Sequence, residues 1–155
     1  MSLTEGENAP EFTLPATGGR TVSLQELKGK PFVLYFYPRA DTPGCTTEAC
    51  AFQDGLPEFD KLDVTVIGVS KDSMKALEKF AEKYSLRFPL ASDPETTVID
   101  AYGAWQEKSM YGKKYMGIER STVLVDAQGK VAKLWPKVKV AGHAEDVLKV
   151  VKALG

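Results

Sequence analysis

The chain has 155 residues, of which 43% are hydrophobic and 26% are charged, and its formal net charge is −1. This length predicts one domain over residues 1–155, and the composition is typical of a soluble globular protein. The balanced charge gives no reason to expect nucleic acid or a membrane surface as a partner. No apolar run approaches the roughly 18 residues of a membrane span. The first residues lack the pattern of a signal peptide, so a cytoplasmic location is expected.

The first part of the chain predicts a leading hairpin followed by a strand–helix–strand unit. Residues 12–14 and 21–23 flank a Thr-Gly-Gly turn, which predicts the hairpin. Residues 31–38 are a continuous apolar run bounded by prolines, which predicts a buried parallel strand. Residues 42–53 predict a helix that ends at the following Asp-Gly-Leu-Pro sequence, and residues 64–70 predict a second buried strand.

The middle of the chain continues this alternation and then loses it. Apolar residues recur at helical spacing over residues 74–84. A short strand over 88–91 and a short helix over 95–102 follow. The stretch 105–118 contains glycine-punctuated turns and has no clean period, so we interpret it as a long loop, a kind of segment that often binds ligands.

The last part of the chain predicts a second hairpin and a final helix. Residues 122–125 and 130–135 flank an Asp-Ala-Gln-Gly turn, and residues 147–154 carry the apolar face of the helix. Alternating strands and helices followed by a hairpin and a helix predict an α/β fold with a mixed sheet covered on both faces.

The chain contains two cysteines, Cys45 and Cys50, and one histidine, His143. Two cysteines are too few for a disulfide scaffold, and a close pair in a reduced compartment indicates redox chemistry, metal binding or no chemical role. We expect no metal site, because His143 is far along the chain and two thiolates do not complete a tetrahedral site. His143 itself is expected to belong to the start of the last helix.

Cys45 is predicted to lie in the first turn of the helix that follows the first buried strand. Thr42 can be the N-cap and Pro43 the first helical residue, which makes Cys45 the third. In this register the Thr42 hydroxyl can accept a hydrogen bond from the Cys45 backbone N–H, and Gly44 lets another molecule approach the backbone closely. The positive end of a helix favours an ionised thiol. The alternative is a small, buried and unreactive side chain.

Cys50 lies five residues after Cys45, on the same predicted helix. Ideal helical geometry separates the two Cα atoms by about 8.7 Å, which is beyond the reach of a disulfide. A bond between them therefore requires the first turns of the helix to unwind. This suits a cycle in which Cys45 is oxidised first, although an inert Cys50 remains an alternative.

The pattern Pro38-x-x-x-Thr42-x-x-Cys45 resembles the active-site motif of peroxiredoxins. Residues 35–50 as a whole closely resemble the bacterioferritin comigratory protein, or peroxiredoxin Q, branch of that family. The resemblance covers nearly the whole chain, including residues 80–84, 107–113, 117–122 and 142–145. It implies a thioredoxin-like fold with an N-terminal β-hairpin extension and a central mixed sheet flanked by helices.

The resemblance also implies a function and a set of site residues. Members of the family reduce hydrogen peroxide and organic hydroperoxides with a cysteine and without a cofactor. By position, Cys45 resembles the peroxidatic cysteine and Cys50 the resolving cysteine. Thr42 resembles the hydroxyl that orients peroxide and thiolate. Pro38 resembles the residue that shields the sulfur from water, and Arg120 the arginine that stabilises the thiolate.

The expected cycle follows from these roles. The Cys45 thiolate attacks a peroxide oxygen and becomes a sulfenic acid, and Cys50 then closes an intramolecular disulfide. An external dithiol, such as thioredoxin, reopens that disulfide by exchange. The resemblance also implies a monomer.

Two other functions compete with this interpretation. A thioredoxin-like dithiol–disulfide exchanger normally carries Cys-x-x-Cys and a proline before the later strand. Here the spacing is Cys-x4-Cys, and Arg120-Ser121 stands before Thr122. The other alternative is an inert binding module on the same fold.

Several further side chains are candidates for the surroundings of the site. Arg39 is adjacent to the motif and is expected to be a solvated loop charge rather than part of the pocket. A set of large apolar residues in the 105–118 stretch could line a pocket for organic peroxides or pack in the core; it comprises Trp105, Met110, Tyr111, Tyr115 and Met116.

Overall fold

The computed structural model describes residues 3–154, so residues 1, 2 and 155 of the predicted domain lie outside the described residues. The strands, in chain order, are β1 (Thr13–Ala16), β2 (Arg20–Ser23), β3 (Phe32–Phe36), β4 (Thr65–Ser70), β5 (Leu90–Ser92), β6 (Trp105–Met110), β7 (Lys113–Ile118), β8 (Ser121–Val125) and β9 (Val131–Trp135). The helices are α1 (Leu24–Leu27), α2 (Pro43–Lys61), α3 (Met74–Tyr84), α4 (Thr97–Ala101) and α5 (His143–Leu154).

Within residues 3–154, a seven-stranded mixed sheet has the order β2-β1-β5-β4-β3-β8-β9. The central strand β3 pairs parallel with β4 and antiparallel with β8. The leading hairpin of β1 and β2 joins the sheet through the antiparallel pair Ala16 and Ala91. The predicted mixed α/β sheet with an N-terminal hairpin is therefore confirmed.

Alternate residues of β3 face the two layers of the core. Phe32, Leu34 and Phe36 pack in the cluster that also contains α1 and α4 residues. Val33 and Tyr35 pack in the opposite cluster, which contains residues of α2, α3 and α5. All five β3 residues are buried, as a central strand covered on both faces requires. The cluster on the α2 side also contains Cys45.

Helix α2 is longer than the sequence predicted, because it continues through Pro57 to Lys61. The prediction that it ends at the Asp-Gly-Leu-Pro sequence is wrong. Leu56 and Phe59 are buried and extend the apolar face of the helix toward the core, which offsets the missing N–H of Pro57.

The stretch 105–118 is a β-hairpin, so the prediction of a long loop is also wrong. β6 and β7 pair antiparallel, with Trp105 opposite Ile118 at one end and Met110 opposite Lys113 at the other. They form a two-stranded sheet of their own. Their turn residues Tyr111 and Gly112 have φ values of 53° and 77°, which is the backbone that a two-residue type I′ turn requires. Most of the hairpin is exposed on both faces, so its sequence lacks the apolar–polar alternation of a half-buried strand.

The remaining predictions agree with the structure to within a few residues, and His143 begins the last helix as expected. The short helix α1 was not predicted; the Ser23 side chain caps it by accepting a hydrogen bond from the Glu26 N–H at 3.2 Å. Of the helices in the described part of the chain, none is long and apolar enough to cross a membrane.

Gly68 in β4 is predicted to be required by packing. A Cβ at this position would lie 2.9 Å from the Cζ and hydroxyl oxygen of Tyr35 and 3.0 Å from Leu90 Cδ2. We expect Gly68→Ala to lower the free energy of unfolding by about 1–3 kcal/mol, because the buried tyrosine ring has to shift. Urea denaturation of the reduced proteins measures this change.

Gly55→Ala is the matched control for Gly68→Ala. A Cβ at Gly55 would meet Phe59 Cε2 at 3.5 Å, an ordinary van der Waals contact, and the position is helical. We expect it to keep or raise the free energy of unfolding, by up to about 1 kcal/mol. Equal stability of Gly68→Ala and the parent protein would contradict the packing explanation.

Candidate active site

Cys45 lies where α2 begins, beyond the carboxyl end of β3, and its side chain is 1% exposed. It is the third residue of α2, as predicted, because Pro43 is the first helical residue and Thr42 the N-cap. Both signals are local in the sequence, which explains why the prediction is correct. The helix N-terminus presents unpaired N–H groups and partial positive charge to the region of the sulfur.

Thr42 occupies the N-cap position, but its hydroxyl does not cap the helix. The prediction that this hydroxyl accepts a hydrogen bond from the Cys45 N–H is therefore wrong. Instead, the Thr42 hydroxyl donates to the backbone carbonyl of Arg39 at 2.9 Å, within the loop that precedes α2. The first helical hydrogen bond runs from the Thr46 N–H to the Thr42 carbonyl, at 2.8 Å.

Arg120 brings a cation to the Cys45 sulfur. Its Nη2 donates to Cys45 Sγ at 3.3 Å. Arg120 directly precedes β8, and the first residue of β8, Ser121, pairs with Phe36 at the end of β3. The antiparallel register of these two strands therefore places Arg120 at the sheet edge where α2 begins.

Gly44 makes this approach possible. A Cβ at Gly44 would lie only 3.1 Å from Arg120 Nη2, tighter than ordinary van der Waals contact. The sequence predicted that Gly44 lets another molecule approach the backbone, whereas in the structure the neighbouring group is the guanidinium of Arg120 in the same chain. A side chain at this position would push the cation away from the Cys45 sulfur.

Glu48 is a charged residue of the site that sequence reasoning missed. Its carboxylate is 1% exposed, and its Oε1 accepts a hydrogen bond from Arg120 Nη1 at 2.7 Å. Glu48 follows Cys45 by three residues on α2, so both side chains lie on one face of the helix. That spacing is the signal in the sequence that could have identified it.

The electrostatics of the site are set by burial as well as by charge. Burial raises the pKa of Glu48 to about 7, against the opposing influence of Arg120. Burial acts to lower the pKa of Arg120, but the neighbouring Glu48 and Cys45 outweigh it, so the pKa stays above its ordinary value. One guanidinium thus serves two acidic groups in a site with little water.

Several buried polar side-chain atoms lack a hydrogen-bond partner among the described residues. The hydroxyls of Tyr35 and Ser121 and the Oε2 of Glu48 are buried without a hydrogen-bond partner among the described residues. Burial, followed by the charges of Tyr37, Glu48 and Cys45, raises the pKa of Tyr35, so its hydroxyl stays protonated. Buried polar atoms without partners are uncommon in native proteins.

Cys50 lies two turns into α2 and is half-buried. Burial, and then the charge of Asp54, raises the pKa of the Cys50 thiol. Both cysteines are unpaired and the helix between them is intact, which agrees with the expectation that a bond between them requires unwinding. Pro38 lies just beyond β3 and is half-buried.

The other candidate side chains do not join this site. Arg39 is exposed, as expected. His143 is buried, its Nε2 lies 2.7 Å from the Thr122 hydroxyl, and burial lowers its pKa to about 4. In residues 3–154, no group of three or more His, Cys, Asp or Glu side chains is placed to hold a metal ion.

The apolar residues of the hairpin are mainly exposed. Met110 is 57% exposed, Tyr111 98%, Tyr115 44% and Met116 50%. The interpretation that these four side chains pack in the core is therefore wrong. Only Trp105 packs against the core.

The sequence profile of the AhpC/TSA family matches residues 6–134. This chain belongs to the AhpC/TSA family. It is 51% identical over 148 residues to the putative peroxiredoxin bcp of Coxiella burnetii, covering 96% of this chain and 98% of the relative. It is 47% identical over 152 residues to peroxiredoxin Bcp of Bacillus subtilis, covering 98% and 97% of the two chains. The predicted Bcp, or peroxiredoxin Q, branch is confirmed.

Solved structures agree with this assignment. The bacterioferritin comigratory protein of Xanthomonas campestris, studied for alkyl peroxide reduction, superposes with a TM-score of 0.91 at 43% identity, covering 97% of this chain and 98% of that chain. A cysteine mutant of Xylella fastidiosa PrxQ superposes with a TM-score of 0.93 at 37% identity, covering 99% and 98%. The peroxiredoxin family and its thioredoxin-like fold are thus established for this chain, and with them its class, a peroxidase.

The raised pKa of Glu48 predicts a specific pH dependence of stability. In the unfolded chain the carboxyl regains its ordinary pKa of 4.5, whereas in the folded protein it is about 7. Between these values the folded state holds a proton that the unfolded state releases. The stabilisation is therefore complete below pH 4.5 and is lost as the pH rises through about 7.

Glu48→Gln tests this dependence, because glutamine does not titrate. We expect the free energy of unfolding of Glu48→Gln, minus that of the parent, to rise by about 2–3 kcal/mol from pH 5 to pH 8. Urea denaturation at both pH values measures the difference. Glu82→Gln, an exposed position on α3, is the control and should show no such rise. A difference that stays constant or falls with pH would contradict the raised pKa of Glu48.

Proposed function

We propose that this protein is a thiol peroxidase that reduces hydrogen peroxide and organic hydroperoxides with Cys45 as the attacking thiolate. One observation carries the proposal: the buried Cys45 sulfur, at the N-terminus of α2, accepts a hydrogen bond from the Arg120 guanidinium at 3.3 Å. A cation and a helix N-terminus at the same sulfur favour its ionised and nucleophilic form.

In the first step, the Cys45 thiolate attacks one peroxide oxygen and an S–O bond forms as the O–O bond breaks. The sulfur is oxidised to a sulfenic acid, and the departing oxygen takes the electron pair of the O–O bond and a proton to leave as water or an alcohol. Arg120 supplies positive charge where negative charge develops on the departing oxygen. Such a preorganised group is typically worth about 3 kcal/mol in the transition state.

Thr42 and Pro38 are proposed to shape the place that the peroxide occupies. The Thr42 hydroxyl donates a hydrogen bond to the Arg39 carbonyl. Its oxygen can therefore accept a hydrogen bond from the peroxide O–H. The N–H groups of the first turn of α2 are then available to a peroxide oxygen instead of being capped by Thr42. Pro38, half-buried beyond β3, shields the sulfur from bulk water.

In the second step, Cys50 is proposed to resolve the sulfenic acid. Its thiolate attacks the Cys45 sulfur, an S–S bond forms, and the oxygen leaves as water. Since α2 is intact between the two residues, its first turns must unwind before the sulfurs meet. An external dithiol then reduces the disulfide by exchange and is itself oxidised. We propose thioredoxin or a similar dithiol for this role, and a monomeric protein acting in the cytoplasm.

Treatment of the reduced protein with one equivalent of hydrogen peroxide tests both steps. We expect mass spectrometry to find a Cys45–Cys50 disulfide in the parent protein, because Cys50 captures the sulfenic acid. In Cys50→Ser we expect a sulfenic or more oxidised acid at Cys45, and in Cys45→Ser no rapid consumption of peroxide.

Other outcomes would favour the competing functions. If Cys50 were oxidised first, the assignment of the two roles would be wrong. If neither cysteine reacted, an inert binding module would be the better interpretation. If peroxide reacted slowly but the protein rapidly exchanged disulfides with a substrate protein, a dithiol–disulfide exchanger would be favoured.

A further inference from the structure

The loop that leads into α2 is tied to the end of α3 by a three-residue cluster. Asp41 directly precedes the N-cap of α2, and both oxygens of its carboxylate are engaged. Its Oδ1 accepts a hydrogen bond from the Tyr84 hydroxyl at 2.7 Å, and its Oδ2 pairs with Lys83 Nζ at 2.9 Å. Lys83 and Tyr84 are the last two residues of α3. We call these three residues the clasp.

The clasp holds Asp41 in an uncommon backbone conformation. Its φ of 57° lies in the left-handed region, which few residues with a side chain adopt, although aspartate adopts it more often than most. The preceding residue is also fixed, because the Ala40 N–H donates to Asp72 Oδ2 at 2.8 Å. The loop is therefore anchored both to α3 and to the segment that follows β4, two to three residues before the first residue of the helix that carries Cys45.

Release of the clasp would remove a constraint on the first turn of α2. That turn begins with the hydrogen bond from the Thr46 N–H to the Thr42 carbonyl, and Thr42 is covalently bonded to Asp41. While the clasp is closed, Thr42 is held in place for this bond. When it opens, Asp41 can return to an extended conformation and the chain that follows can leave the helix.

We propose that the clasp of Asp41, Lys83 and Tyr84 controls how readily the start of α2 unwinds. This proposal rests on the proposed function, in which such unwinding sets how fast Cys45 and Cys50 form a disulfide. The sulfenic acid formed at Cys45 has two fates. Cys50 can displace its oxygen as water, or a second peroxide can oxidise it to a sulfinic acid and leave as water or an alcohol. A closed clasp preserves the geometry for the first attack and prolongs the life of the sulfenic acid.

Tyr84→Phe and Lys83→Met test the clasp. Tyr84→Phe keeps the ring, which packs edge-on against Phe80 at 5.5 Å, and removes only the hydroxyl. Lys79→Met, at an exposed position of the same helix, is the control. Hydrogen exchange of the Thr46 amide in the reduced proteins reports unwinding. Rapid quench followed by mass spectrometry reports disulfide formation and the sulfinic acid fraction at excess peroxide.

We expect Thr46 exchange and disulfide formation to be faster by about threefold in each variant and about tenfold in the double variant, since each removes one of the two contacts of the Asp41 carboxylate. The sulfinic acid fraction should fall accordingly. Amides of β3 and α5 should exchange as in the parent protein, and Lys79→Met should behave like the parent throughout.

Three results would overturn the proposal. The rates of Thr46 amide exchange and of disulfide formation could both stay at parent values. Amide exchange could accelerate equally over the whole chain, or Thr46 exchange could rise without faster disulfide formation. The exchange measurement needs no disulfide. A parent protein that forms no Cys45–Cys50 bond would therefore contradict the proposed resolution step, while Thr46 exchange would still decide whether the clasp restrains α2.

Discussion

The arrangement of this site depends on one guanidinium that two acidic groups share. Arg120 donates to the Cys45 sulfur at 3.3 Å and to the Glu48 carboxylate at 2.7 Å, in a place where both partners are 1% exposed. Burial raises the pKa of Glu48 to about 7, although the neighbouring Arg120 acts to lower it. When Glu48 is protonated, the positive charge of Arg120 acts mainly on the Cys45 sulfur. When Glu48 is ionised, its carboxylate competes with the sulfur for that charge.

The fold brings these groups together through non-local pairing. β3 leads to the loop and helix that present Cys45, and its antiparallel neighbour β8 begins directly after Arg120. Gly44 leaves room for the guanidinium over the first turn of α2. In the proposed cycle the same turn has to unwind before Cys50 can reach Cys45. The proposed cycle thus needs a rigid site for one step and an open one for the next, and the contacts of Asp41 lie at the start of the segment that would open.

The features that the sequence predicted correctly are those with local signals. Cys45 is the third residue of α2 because Thr42 and Pro43 mark the helix start, and both lie within three residues of it. Arg120 was identified only through resemblance, since its place beside the sulfur depends on pairing between distant strands. Glu48 was missed for the same reason: its role exists only once Arg120 is in place. The β6–β7 hairpin was missed because it buries little, and the end of α2 because tertiary packing overrides Pro57.

The most direct measurement compares two reagents at Cys45 in a Cys50→Ser background, with and without Arg120→Met. If Arg120 acts on the breaking O–O bond, the rate constant for hydrogen peroxide should fall by about a hundredfold, and that for alkylation by iodoacetamide far less. Arg39→Met, an exposed neighbour, should change neither rate. Equal losses with both reagents would contradict an action of Arg120 on the breaking O–O bond, and no loss with peroxide would contradict the central role of its guanidinium.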